Sequence, residues 1–197
     1  MRAQVDEWVA FASLASESVR EFQRVFGLSI RDAPTIPPQH EVDLRAALLI
    51  EESEEYFAAS VAGDMVGMAD GLGDIVVITA GSALVYGLDL PSLVEAFGVA
   101  PWPLRRAVSV ATTPFVSLDE LGEALAAVVV STYVEAERHG VPLEAVFREI
   151  HHSNMTKLDS DGSVLRRADG KVLKGPNYRS PFLAPILAAA GLLPAEV

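Results

Sequence analysis

The segment Met65–Tyr86 constrains the fold more than any other part of the chain. It reads MVGMADGLGDIVVITAGSALVY, and beyond Asp74 it is apolar almost all round until Gly87 stops it. A helix with no polar face must be covered on every side, so this pattern predicts a central helix in a helical bundle. Gly73 and Gly81 lie inside it and cost about 1 kcal/mol each relative to Ala, which points to close approach by neighbouring helices. Its uncharged run, Ile75–Leu88, falls short of the ~20 apolar residues that a membrane span requires.

The rest of the chain supplies the neighbours. Residues 4–26 repeat Val5, Trp8, Val9, Ala12, Ala15, Val19, Phe22, Val25 and Phe26 at helical spacing, and Gly27 ends the pattern. A loop with three prolines, SIRDAPTIPPQ, follows. The spacing predicts further helices over 41–62, closed by Gly63-Asp64, then 91–97, 118–139, closed by Gly140, and 142–157, with Pro142 in its first turn. Residues 98–117 contain three prolines and carry no definite helical pattern. Beyond 158 the character changes: Asp161-Gly162 and Asp169-Gly170 are turn signals that suggest a small hairpin, and 181–193 reads as a short docking helix. ITAGSALVYGLDLPSLVEAF and VVVSTYVEAERHGVPLEAVF share a loose pattern, which hints at an internal duplication.

The composition agrees with tightly packed helices: half of the 197 residues are hydrophobic and only 7% are aromatic. The predicted class is all-α, a bundle with a four-helix core, an extra helical insertion at 98–139 and a small C-terminal hairpin or irregular tail. The predicted domains are 1–157 and a basic tail, 158–197, packed on it. A net charge of −12 argues against nonspecific partnership with nucleic acid or an anionic membrane. The absence of Cys excludes disulfides, thiolate metal sites and Cys nucleophiles. The opening MRAQVDEWVAF carries acids and no long apolar run, so a cytoplasmic protein is expected.

Two acidic patterns carry the chemistry. In the 41–62 helix the stripe Leu44, Leu48, Glu51 or Glu52, Glu55 and Ala59 runs acids into line with apolar positions. The next helix repeats this with Val66, Asp70, Asp74, Val77 or Ile78 and Gly81. A solvated acidic face would explain the first pattern alone, and helix-dipole preference the second. Together they form a buried set that needs a cation, and no Lys or Arg occurs between Arg45 and Arg105. A hard divalent ion suits carboxylate oxygens, so the pattern predicts Mg²⁺, with Mn²⁺ as the other candidate. Near the end, Arg166, Arg167, Lys171, Lys174 and Arg179 face one acid, Asp169, within 166–179, so this tail is expected to fold over an anionic substrate. Tyr178 lies among them, placed to stack on a base or simply to pack. Asp159-x-Asp161-Gly162 lacks the later ligands of a calcium loop, and Glu149-x-x-His152 is the single such pair where a di-iron bundle needs two. No phosphate-loop, nucleophile-elbow or dinucleotide signature appears.

These residues resemble the MazG-like all-α nucleotide pyrophosphohydrolases, which include phosphoribosyl-ATP pyrophosphatase and the dimeric dUTPases. Glu52-x-x-Glu55 matches the first half of their E-x-x-E and E-x-x-D signature, Glu51 sits where relatives carry a further acid, and Asp74 matches the final Asp. The VREFQRVFGL opening and the HHSNMTKLDSDGSVLRRADGKVLKGPNY ending also resemble one branch of that superfamily. The resemblance implies cleavage of a nucleoside triphosphate such as dUTP or a modified nucleotide between the α and β phosphates. It implies metal binding by Glu51, Glu52, Glu55, Asp70 and Asp74, with Glu51 or Glu52 orienting the attacking water. Asn154 and Lys157 would lie near the phosphates, and a homodimer or homotetramer is implied. Phosphoribosyl-ATP cleavage and a non-catalytic nucleotide- or protein-binding module are the alternatives. The chain departs from the signature at Gly71, where the pattern has Glu, and Asp70 is the acid that shares the helix face with Asp74.

Overall fold

The computed structural model describes residues 2–98, 100–115, 117–159 and 161–194. Among these are eight helices and no strand: α1 Arg2–Val25, α2 Gln39–Ala62, α3 Met65–Tyr86, α4 Leu90–Phe97, α5 Leu104–Thr112, α6 Leu118–His139, α7 Leu143–Met155 and α8 Ala184–Ala189. The fold is all-α. α3 packs on α1, α2, α6 and α7, and its Ala69, Leu72, Ile75, Val76 and Ala80 are fully buried. It is long and apolar enough to span a bilayer, but 78% of its most apolar stretch is buried in this bundle, which accounts for its composition.

The expected helices appear with ends shifted by at most two residues, except the docking helix, which is shorter, Ala184–Ala189. α5 is the addition. Its flanking prolines, Pro101, Pro103 and Pro114, bracket the helix instead of breaking it, because a proline before the first turn removes no helical hydrogen bond. Leu104, Ala107 and Val108 form its buried stripe. The expected hairpin reduces to one antiparallel bridge, Arg166 to Val172. Around it the Arg167 N–H donates to the Lys171 carbonyl at 2.8 Å and the Leu173 N–H to the Leu165 carbonyl at 2.8 Å. The docking helix is present as α8, with Leu187 buried.

The suspected repeat has a spatial counterpart. α3 and α6 are each 22 residues long, each ends at a left-handed glycine, and a shorter helix follows each. They cross-pack, α3 on α7 and α6 on α4. α6 and α5 extend the core on the far side of α3, so the described part of the 98–139 insertion adds helices to the core.

The proline-rich loop caps α3. Arg31 and Thr35 donate backbone N–H groups to the carbonyls of Leu84 (3.0 Å) and Tyr86 (2.9 Å) in the last turn of α3. The Arg31 side chain donates to the Val85 carbonyl at 2.7 Å and pairs with Glu41 at 3.0 Å, tying the loop to α2. That pair holds the Glu41 carboxyl below its usual range. Gly87 makes this approach possible: φ is 68° and a Cβ there would lie 2.0 Å from the Ala33 carbonyl oxygen. Gly63 ends α2 with φ 70° but has open space around it. Gly63→Ala should therefore cost about 1–2 kcal/mol, the left-handed penalty alone, whereas Gly87→Ala should cost clearly more. Urea unfolding of the two variants measures the difference, and equal losses would contradict the packing described for the loop.

Candidate active site

α2 and α3 lie side by side and antiparallel, turned by Gly63-Asp64, with the Asp64 side chain accepting the Gly67 N–H at 3.0 Å. Glycines let them touch. At Gly71 a Cβ would stand 2.8 Å from Tyr56 Cβ and 2.9 Å from Tyr56 Cα. The place where the signature has Glu therefore faces the backbone of α2 and has no room for a side chain. Asp70 and Asp74 face the other way, into a cavity of about 580 Å³.

This cavity gathers most of the predicted residues. Glu51, Glu52 and Glu55 of α2 and Asp70 and Asp74 of α3 line it, with Asn154 and Lys157 from the end of α7 and Lys171, Lys174 and Tyr178 from the tail. No residue from α4, α5 or α6 reaches it. The tail lysines supply the cations that the sequence lacks between Arg45 and Arg105. Lys171 Nζ holds both oxygens of Glu51, at 2.8 and 2.9 Å. The Tyr178 ring faces the ammonium groups of Lys174 (4.7 Å) and Lys157 (5.9 Å), so its face is taken by cations. Arg166 and Arg167 lie elsewhere. Arg166 donates to the Phe26 carbonyl, and Arg167 pairs with Asp169 at 2.6 Å. Arg166 fastens the tail to the end of α1, Arg167 closes a turn within the tail, and neither lines the cavity.

The tail is also pinned to α7. Ser153 Oγ donates to the Arg179 carbonyl at 2.6 Å, the Arg179 N–H donates to Thr156 Oγ at 2.9 Å, and the Phe182 N–H donates to Glu149 at 2.9 Å. This explains Glu149, whose spacing to His152 suggested a metal: its carboxylate anchors the tail.

The acids strain against one another. Burial, then Asp74 and Glu55, push the Glu52 carboxyl up to about 8. Burial, then Asp70, push Asp74 up to about 7. Burial raises Asp70, and it lowers Lys157. Oxygen donors on two adjacent helices, crowded enough to resist ionisation, fit a hard divalent cation. Among the described residues, no three of them are yet drawn together as a finished cage.

Two cavity residues gave no signal in the sequence. Arg45 donates Nε to Ser82 Oγ at 3.0 Å and a terminal nitrogen to the Ile78 carbonyl. Burial lowers its pKa to about 10, no carboxylate pairs with it, and it lines the cavity at the end away from the acids. Gln23 of α1 is buried beside it.

Residues 19–100 match the family model for phosphoribosyl-ATP pyrophosphohydrolase, a part of the MazG-like all-α superfamily. This segment holds α2, α3 and all five acids. This segment is similar to a pyrophosphohydrolase family that hydrolyses a phosphoanhydride in a nucleotide-like substrate. No curated protein matches the chain.

Two outcomes follow from this geometry. Gly71→Glu, which restores the signature letter for letter, should destabilise the fold by about 1–3 kcal/mol through overpacking; unchanged unfolding would place Gly71 wrongly. The raised carboxyls hold protons in the folded state that the unfolded chain has released above its ordinary carboxyl range. Their contribution to stability is present at low pH and is lost as pH rises through about 7 to 8. Without divalent ions, the melting temperature should be lower at pH 8.5 than at pH 5.5, and Glu52→Gln should shrink the difference. A melting temperature that rises across that window would contradict it.

Proposed function

We propose that this pyrophosphohydrolase domain, completed by α7 and the tail, hydrolyses a nucleoside or deoxynucleoside triphosphate to the monophosphate and pyrophosphate with Mg²⁺. What carries the reading is one cavity with five carboxylates on one wall and three lysines, Lys157, Lys171 and Lys174, opposite them. Such a cavity suits a polyanion that arrives with a divalent cation. Glu52, Glu55, Asp70 and Asp74 are the ligands to that cation. Mg²⁺ would supply charge stabilisation of phosphate oxygens in the transition state.

The protein's own residues do the rest. Lys157, Lys174 and Asn154 hold the non-bridging phosphate oxygens and fix the chain for in-line attack. Lys171 leaves Glu51 for a phosphate oxygen when substrate enters. Glu51, then free, orients the attacking water and accepts its proton. Gly71 keeps α2 and α3 close enough for acids of both helices to share one ion.

The family description favours phosphoribosyl-ATP as a second substrate reading. A panel of canonical and modified triphosphates, dUTP and phosphoribosyl-ATP, assayed for pyrophosphate release with Mg²⁺, separates the two. Glu52→Gln and Asp74→Asn should each lower kcat by on the order of 10²–10³, and a chelator should abolish turnover. Release that survives in both variants would refute the carboxylate mechanism.

A further inference from the structure

The far end of the cavity has its own chemistry, and the rows of α2 and α3 measure the distance to it. Asp74 and Gly81 are seven residues apart on α3, as are Arg45 and Glu52 on α2. The antiparallel helices therefore set Arg45 beside Gly81 about 10 Å, two helical turns, from the acids. That is the separation between the phosphates and the base of one nucleotide. Phe22, Leu44, Leu48, Val77 and Ile78 make this end apolar.

Two polar groups interrupt it. Arg45 spends Nε on Ser82 Oγ and one N–H of a terminal nitrogen on the Ile78 carbonyl, which leaves the second N–H of that nitrogen to donate elsewhere. Gln23 is only 2% exposed, donates its amide to the Ser29 carbonyl at 2.7 Å, and leaves Oε1 buried with no partner. That bond fixes the orientation of the amide, because the Ser29 carbonyl can only accept. Gly81 lies between the two: a Cβ there would stand 2.7 Å from that same Arg45 terminal nitrogen and 3.5 Å from Gln23 Oε1. A cationic donor and an unsatisfied acceptor thus converge on one gap where a side chain is missing. Leaving the buried Gln23 oxygen unmatched is costly.

We infer that this end of the cavity reads the nucleobase, with Arg45 donating to a ring carbonyl and Gln23 Oε1 accepting the adjacent ring N–H. The edge that fits is a lactam, as in uracil, thymine, guanine and hypoxanthine. Adenine has no ring carbonyl to offer the guanidinium, and cytosine has no ring N–H beside its carbonyl. The inference rests on the nucleotide reading above and narrows it to lactam bases.

Binding and turnover test it separately. Calorimetric titration of UTP, GTP, CTP and ATP reads base preference whether or not the protein turns over, and pyrophosphate release is measured in parallel. The parent should bind UTP and GTP ten- to hundred-fold more tightly than ATP and CTP, as a site built for a polar edge discriminates. Gln23→Met and Arg45→Met should bring that ratio near one while tripolyphosphate, which has no base, binds both variants as it binds the parent. Arg45→Lys keeps the charge and serves if Arg45→Met does not fold. Equal affinity for all four bases in the parent, or a ratio unchanged in folded variants, would overturn the inference even if pyrophosphate is released. Lactam preference without release would instead support it and remove the hydrolase reading.

Discussion

The contact between α2 and α3 is the constraint from which the remainder follows. At Gly71 the two helices meet backbone to side-chain root, with no space for even a methyl group. That contact fixes the rotation of α3. It turns Asp70, Asp74 and Gly81 toward one cavity and leaves Ala69, Leu72 and Val76 in the core. Because the helices are antiparallel, acids oppose acids at one end and Arg45 opposes Gly81 at the other. The cavity is polar at both ends for different reasons.

Charge is the second constraint. Burial resists the ionisation of Glu52, Asp70 and Asp74, so this group of carboxylates needs cations beside it. The chain supplies three lysines from a segment more than eighty residues later in sequence, and it secures that segment through Arg166, Ser153 and Glu149. The lysine that neutralises Glu51 also lines the cavity, so under the proposed function it would serve both the fold and the substrate.

Much of the fold was legible because it is written in local signals. The ends of α3 follow from Asp64 and Gly87, and its central position from its missing polar face. α5 was hidden because prolines read as breakers whether they start a helix or interrupt one. The tail reads as a hairpin or an irregular segment, and one bridge forms, since turn residues specify a reversal but not a ladder to either side. In the site, helical spacing was enough to bring the acids together, as it depends only on periodicity within a helix. Which tail cations face the cavity depends on tertiary anchoring: Arg167 has a local partner in Asp169, whereas Lys171 does not. Arg45 looked like the last cation before an acidic stretch, and Gln23 like an ordinary polar residue on α1. Their convergence needs the α1–α3 packing that no local pattern encodes.

The central claim is that Glu52, Glu55, Asp70 and Asp74 hold a divalent cation. Titration with Mn²⁺, followed by the loss of its free-ion electron paramagnetic resonance signal, tests it without relying on turnover. The account predicts saturable uptake by the parent and its loss in the Glu52→Gln, Asp74→Asn double variant, with both proteins folded. Uptake that the double variant retains, or none in the parent at neutral pH, would contradict it.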